Sequence, residues 1–216
     1  DSASPLPGSW GYQAEIHETG HALGLKHPHE RGETNTLILD QSWDSLEFTV
    51  MSYRSFVGAP TGGGYTNEEF GYPTTPMMLD IAALQYIYGA DFTTNSGNTT
   101  YSWSPTTGEM FLNGAGQGAP GANRVFLTIW DGGGHDTYDM SNYANAVSID
   151  LTPGKWSVTA EAQRAILQDA FFGTEIKSRG TVFNALLSNN DTRSLIEDAK
   201  GGSGDDTILG NQGDNV

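Results

Sequence analysis

The chain has 216 residues, 26 acidic side chains against 10 basic ones, a formal net charge of −16 and no cysteine. That charge excludes a nucleic-acid binder, which needs a basic face against phosphates, and the lack of thiols excludes a disulfide scaffold, a thiolate zinc site and thiol catalysis. No apolar run approaches the roughly 18 residues of a membrane span. The polar, proline-bearing start from Asp1 to Gly8 does not read as a signal peptide.

In chain order, the pattern predicts a helix from Trp10 to Leu25, with Tyr12, Ile16, Ala22, Leu23 and Leu25 apolar and Gly24 as the stop. Residues 30–75 lack a helical period, and 58–71 reads as a glycine-rich loop. A second helix is expected from Pro76 to Tyr88, with Thr75 as N-cap, Pro76 at the first position and Gly89 after the end. Met78, Leu79, Ala82, Tyr86 and Ile87 would form its buried face. From Asp91 the texture becomes β-rich, with short runs at Arg124–Trp130, Thr137–Met140 and Val147–Leu151 between Gly, Asn and Asp. Helical stretches are expected at 160–172 and 181–188. The fold class is therefore α+β, divided into 1–90 and an all-β region over 91–216. One internal echo stands out: Gly134-His135-Asp136-Thr137-Tyr138 and Gly204-Asp205-Asp206-Thr207-Ile208 share G-x-D-T-apolar.

Chemistry concentrates in His17-Glu18-Thr19-Gly20-His21-Ala22-Leu23-Gly24-Leu25-Lys26-His27. On a helix, His17 and His21 are one turn apart and can reach one metal ion. Glu18 lies beside them and can hold a water without being a ligand. Gly24 can take the left-handed backbone that swings His27 back as a third nitrogen ligand. Three neutral imidazoles leave a coordination position open, the arrangement of a catalytic zinc. Downstream, Val50-Met51-Ser52-Tyr53 supplies a methionine turn as the floor beneath the metal, and Tyr53 can aim its hydroxyl at the metal or at an oxyanion.

These residues resemble the serralysin-type metzincins, secreted zinc endopeptidases. The resemblance rests on the histidine motif, His27-Pro28, the turn at Met51–Tyr53, and Pro76-Met77-Met78-Leu79-Asp80-Ile81-Ala82-Ala83-Leu84-Gln85-Tyr86-Ile87-Tyr88-Gly89-Ala90. It implies the end of a metzincin catalytic domain followed by a region entering a parallel β-roll. It also implies His17, His21 and His27 as zinc ligands, Glu18 as general base, and Tyr53 as a switching fifth ligand.

Gly201-Gly202-Ser203-Gly204-Asp205-Asp206-Thr207-Ile208-Leu209 fits the calcium nonapeptide G-G-x-G-x-D-x-U-x, with Gly202, Gly204 and Asp206 as ligands and Ile208 toward the core. A flexible Gly/Asp linker is the alternative. The resemblance adds a calcium loop at Asp131, Gly133, Gly134 and Asp136. It further implies ligands at Asn95, Gly97 and Thr99, the Leu195 carbonyl and the Glu197 carboxylate. His29 and His135 are expected outside any first coordination shell.

Relative to that family the metal helix begins almost at once, so a fragment lacking the subdomain that pairs with extended substrate is expected. Two functions follow: zinc-dependent endoproteolysis of protein or peptide substrates, or a catalytically incomplete zinc- and calcium-binding fragment that needs its missing N-terminal half. A calcium-dependent adhesin would leave the histidine motif unexplained. The resemblance also implies an extracellular protein exported by a type I system, and a proteinaceous inhibitor among its possible partners. No nucleic acid and no membrane span are expected.

Overall fold

The computed structural model describes residues 5–33 and 35–216, so the first four residues of the polar N-terminal stretch lie outside the described residues. Helix α1 spans Trp10–Ala22. Ser9 opens it in extended backbone (φ −78°, ψ 159°), its hydroxyl accepting the Tyr12 N–H at 3.3 Å. Gly24, at φ 91°, closes it. Its N–H donates to the His21 carbonyl and that of Leu25 to the Gly20 carbonyl, both at 2.9 Å. Those paired bonds form a Schellman motif, which no residue with a Cβ would enter without strain.

The buried side of α1 differs from the apolar pattern: Gln13, His17 and Gly20 are buried, while Ala22 and Leu23 are exposed. Polar contacts decide this face. Gln13 Nε2 and His17 Nδ1 both donate to the Val50 carbonyl, at 3.0 and 2.8 Å. One turn on, a Cβ added at Gly20 would stand 2.5 Å from Met51 Sδ, so the glycine admits the sulfur beneath the helix.

Helix α2, Met78–Tyr88, starts two residues later than expected, and Met77 rather than Thr75 precedes it. Asp80, fully buried, explains the shift. Its carboxylate accepts the N–H groups of Met77 (2.8 Å) and Val50 (2.7 Å) and the Thr49 hydroxyl (2.5 Å). The helix start is thereby tied to the turn at 49–51. Thr75 instead accepts the Thr128 N–H at 2.9 Å. Met78 is buried as predicted, but Tyr86 is 92% exposed and Ile87 is exposed too, because no described residue packs over that side.

The β-rich part has twelve short strands: β1 Thr100–Trp103, β2 Met110–Leu112, β3 Ala115–Gly116, β4 Leu127–Ile129, β5 Thr137–Asp139, β6 Ser148–Asp150, β7 Trp156–Ser157, β8 Ile166–Gln168, β9 Ile176–Lys177, β10 Val182–Asn184, β11 Asp198–Lys200 and β12 Thr207–Leu209. Five form a sheet in the order β11-β5-β1-β2-β3, the first three parallel and the rest antiparallel. A second sheet, β4-β10-β7, mixes both senses, β6 and β12 form a parallel pair, and β8 and β9 an antiparallel hairpin. The architecture is α+β, as the sequence implied.

The helices expected at 160–172 and 181–188 are absent. The first stretch holds a 3-10 turn at Glu161–Gln163 and then β8, and the second holds β10. Tertiary bonds override the local pattern. Glu68 Oε1 accepts the Ile166 N–H at 2.8 Å, and the Glu68 N–H donates to the Ile166 carbonyl at 3.1 Å. Buried Gln163 is held by the Tyr143 and Thr159 hydroxyls, both at 2.8 Å.

The echo around Asp136 and Asp206 is structural. Asp136 Oδ1 accepts the Thr99 N–H at 2.7 Å, and Thr137 N–H donates to the Thr99 carbonyl at 2.8 Å. Asp206 Oδ1 accepts the Val147 N–H at 2.9 Å, and Thr207 N–H donates to the Val147 carbonyl at 3.0 Å. Each aspartate thus seats its strand on the parallel neighbour that came before it in the chain. Glu197 repeats the pattern ahead of β11, its Oε2 accepting the Asp136 N–H at 2.8 Å.

Two apolar clusters fill the interior. One gathers Tyr101, Trp103, Tyr138, Met140 and Ile149 between the parallel ladders. The other joins Leu46, Phe48, Met51 and Met77 to Phe126, Leu167 and Phe183, so residues before and after Ala90 share it.

Candidate metal centre

Helix α1 and its Schellman turn bring His17, His21 and His27 together. His27 Nε2 lies 3.2 Å from His17 Nε2 and 3.0 Å from His21 Nε2. Each ring is oriented from its other nitrogen: His17 Nδ1 by the Val50 carbonyl (2.8 Å), His21 Nδ1 by the Leu25 carbonyl (2.9 Å), and His27 Nδ1 by Glu30 Oε2 (2.7 Å). All three partners only accept, so Nδ1 is the donor in each ring and the three Nε2 atoms turn toward one another. Three lone pairs at that spacing repel unless a cation lies between them, so the donor set fits a divalent metal of zinc's preference. Burial holds the His17 pKa below its ordinary value, which keeps the ring neutral.

Met51 lies beneath α1, and Tyr53 stands over the cluster, its ring centroid 4.3 Å from that of His27 and 5.7 Å from that of His17. Burial raises the Tyr53 pKa, so its hydroxyl keeps its proton. Glu18, exposed, borders a cavity of about 630 Å³ together with His17, Trp10, Tyr53, Tyr65 and Tyr72. The Tyr65 hydroxyl donates to the Ser52 carbonyl at 2.9 Å, fixing that wall to the turn that carries Tyr53.

Glu30, Lys26 and Asp80 escaped the sequence reading. Glu30 orients His27, and the Lys26 ammonium holds the following loop through the carbonyls of Glu30 (2.6 Å) and Leu37 (2.8 Å). The three-residue offset from His27 to Glu30 was the available signal. His27, His29 and Glu30 form a second group of close donor atoms, but it shares His27 with the first. His29 stacks on the His27 ring, at 5.6 Å and 3°.

A carboxylate cluster forms where β1, β5 and β11 begin. Asp131 accepts the Gly133 N–H at 2.8 Å and the Tyr101 hydroxyl at 2.7 Å. Asp136 Oδ2 is buried without a hydrogen-bond partner. The Thr99 hydroxyl donates toward the carbonyls of Gly97 (2.8 Å) and Asn95 (3.2 Å), and Glu197, just ahead of β11, accepts the Asp136 N–H. At Gly134 a Cβ would fall 2.6 Å from the Gly97 oxygen. Leu195, two residues before Glu197, is buried. Burial, with Asp131 and Glu197 nearby, pushes Asp136 up to about 7, and burial raises Asp131 as well. Close carboxylates with an orphaned oxygen suit a hard cation such as Ca²⁺.

The nonapeptide glycines are spent on stacking. Side chains at Gly202 or Gly204 would run into the backbone of Tyr143 and Ala146 respectively. Ile208, expected in the core, is 48% exposed, because β12 pairs only with β6. His135 is exposed, 3.4 Å from Asp198.

Fold and site together define an α+β protein in which three histidines, two on its first helix and one just beyond it, are placed so that they could hold a metal ion. The family profile described as "Peptidase M10 serralysin C terminal" matches residues 90–166. "Metalloprotease AprA" of Pseudomonas entomophila (strain L48) is 32% identical across 100% of this chain and 40% of its own length. "Serralysin" of Proteus mirabilis is 32% identical across 100% of this chain and 38% of its own length, and "Serralysin C" of Dickeya chrysanthemi 34% across 95% and 37%. The chain is a homologue of the serralysin (M10) metalloproteases, and it spans about 40% of the length of the curated relatives it matches. Among the described residues, no helix is long and apolar enough to cross a membrane.

Proposed function

We propose that this chain carries the zinc-holding part of a secreted endopeptidase and depends on further sequence, of the kind its longer relatives contain, to grip extended protein substrates. The convergence of the Nε2 atoms of His17, His21 and His27 supports this reading most strongly. When bound, zinc supplies Lewis acidity and lowers the pKa of water toward about 7. Glu18 accepts the proton of the attacking water and returns it to the departing amine. The Tyr53 hydroxyl donates a hydrogen bond to the oxyanion that develops on the scissile carbonyl.

In the same reading Asn95, Gly97, Thr99, Asp131, Gly133, Gly134, Asp136, Leu195 and Glu197 hold calcium, and the orphaned Asp136 oxygen supports it. Gly202, Gly204 and Asp206 give the next coil its half of a β-roll site, supported by the repeated Asp136 and Asp206 geometry. Division into a catalytic part, 1–90, and a calcium-binding part, 91–216, belongs to this proposal, as do type I export and a proteinaceous inhibitor. The dependence on further sequence is supported by the water-facing tyrosines of α2 and by the share of the relatives that the chain spans.

Cleavage of a quenched casein substrate tests it, using the chain with zinc and calcium, beside Glu18→Gln and a chelator. The expected result is one bound zinc with little or no cleavage, and cleavage after the chain is joined to the preceding segment of a relative. Strong cleavage by the chain alone, abolished by both controls, would remove the dependence but keep the peptidase. A chain that binds no zinc would end both readings.

A further inference from the structure

The hairpin β8–β9 begins at the residue where the family profile stops. It is bonded to the wall of the cavity beside Glu18. The Glu68 N–H donates to the Ile166 carbonyl (3.1 Å), the Thr66 hydroxyl to the Leu167 carbonyl (2.8 Å), and the Asp169 N–H to the Thr66 carbonyl (2.8 Å). As β8 advances, its partners step back from residue 68 to 66, toward Tyr65, Gly64 and Thr61, which line that cavity. The base of the hairpin is thereby fixed to Thr66, the residue next to Tyr65 of the cavity wall.

Two aromatic rings stand at the tip. Phe171 is 88% and Phe172 54% exposed, packed edge to face at 5.2 Å. A phenylalanine left in water forgoes the stabilisation that burial would contribute. The turn is nonetheless ordered. Asp169 accepts the Phe171 N–H on its carboxylate (2.8 Å) and the Phe172 N–H on its carbonyl (2.9 Å), and the Gln168 amide donates to the Thr174 carbonyl at 2.7 Å. A preformed aromatic pair loses little entropy on contact.

Charge selects the partner. Asp169 flanks the rings, and Glu175 on their other side lies 3.9 Å from Lys177, on a chain of net charge −16, whereas interfacial membrane anchors carry an excess of Lys and Arg against anionic headgroups. An extended polypeptide with apolar and basic side chains meets both the rings and the Asp169 carboxylate. We propose that the Phe171–Phe172 tip is a second docking point for extended substrate, engaging an apolar side chain beyond the segment held beside Glu18. This rests on the peptidase reading, since it takes the 630 Å³ cavity as the cleft.

The test uses the zinc-loaded Glu18→Gln chain joined to the preceding segment of a relative, which should bind without cutting, and fluorescence anisotropy with two labelled peptides. One peptide fills only the cavity, and the other extends the same sequence with Phe, Leu and Lys. The double substitution Phe171→Ser/Phe172→Ser is expected to weaken the long peptide about tenfold and leave the short one unchanged. Because both rings face water, its thermal melt should match that of the parent chain. Equal affinity of parent and variant for the long peptide overturns the proposal, as does an equal loss for both peptides. Binding to phosphatidylserine vesicles that the substitution abolishes would overturn it in favour of a membrane. Failure of the parent to bind either peptide sinks the tip and the cleft together, whereas the casein assay judges the peptidase reading separately.

Discussion

The histidine cluster and the carboxylate cluster are both arrangements of unsatisfied lone pairs, yet they are assembled in opposite ways. The histidines come from eleven consecutive residues, so one helix and one Schellman turn bring them close, and distant groups only orient their rings. The carboxylate cluster draws on 95–99, 131–136 and 195–197, which meet only because β1, β5 and β11 stack in parallel. The first site should therefore respond to loss of a single ligand as a metal site does, and the second as part of the fold. His27→Ala gives the largest expected effect. Binding free energies of about 10–16 kcal/mol for zinc are shared by three or four ligands, so affinity should fall on the order of a thousandfold. Chelator competition measures it, and an unchanged affinity would break the three-histidine assignment.

Asp136 supplies the next largest effect, and with it a pH response. Its folded pKa, about 7, lies above the ordinary carboxylate value of 3.8. A raised value means the protonated group favours the fold: the contribution is complete below the ordinary pKa and is lost as pH climbs through about 7. Without calcium, the melting temperature should therefore decline between about pH 5 and pH 8. Calcium favours the ionised pair and should remove that decline at the upper end. Asp136→Asn should abolish both the slope and the calcium response. A parent chain whose metal-free melting temperature holds level across this range would contradict the buried-carboxylate account.

This difference in assembly also governs what the sequence disclosed. The spacing of His17, His21, Gly24 and His27 carries the geometry of the site, because helix periodicity and a left-handed glycine are local. Asp80 looked like one polar residue in an apolar helix. Its role in tying Met77 to Val50 depends on a turn some 30 residues away, and that turn in turn orients His17. The stretch 160–172 has helical composition, but Glu68 and the partners of Gln163 hold it extended, and nothing within the stretch announces them. Tyr86 and Ile87 show the same limit from the other side, since an apolar pattern says that a face seeks cover without saying what covers it.

Glu30 tests how far the histidine site extends beyond its ligands. Removing the negative charge that orients His27 in Glu30→Gln should weaken zinc by about 10–100-fold, less than losing a ligand, as expected for partners one step from a metal. An effect as large as that of His27→Ala would make Glu30 a ligand.

Asp206 should give the smallest effect and sharpen the repeat. It makes the same bond to Val147 that Asp136 makes to Thr99, but Asp206 is only partly buried and β12 beside it is exposed. Water can replace part of a bond lost there, so Asp206→Ala in calcium-free buffer should cost only about 1 kcal/mol by urea unfolding. The same substitution at Asp136 leaves the Thr99 N–H without its acceptor in a buried setting, and it also removes the orphaned oxygen. If the two substitutions cost the same, the coil begun by β12 is as well supported as the one at β5. The exposure of Ile208 argues that it is not.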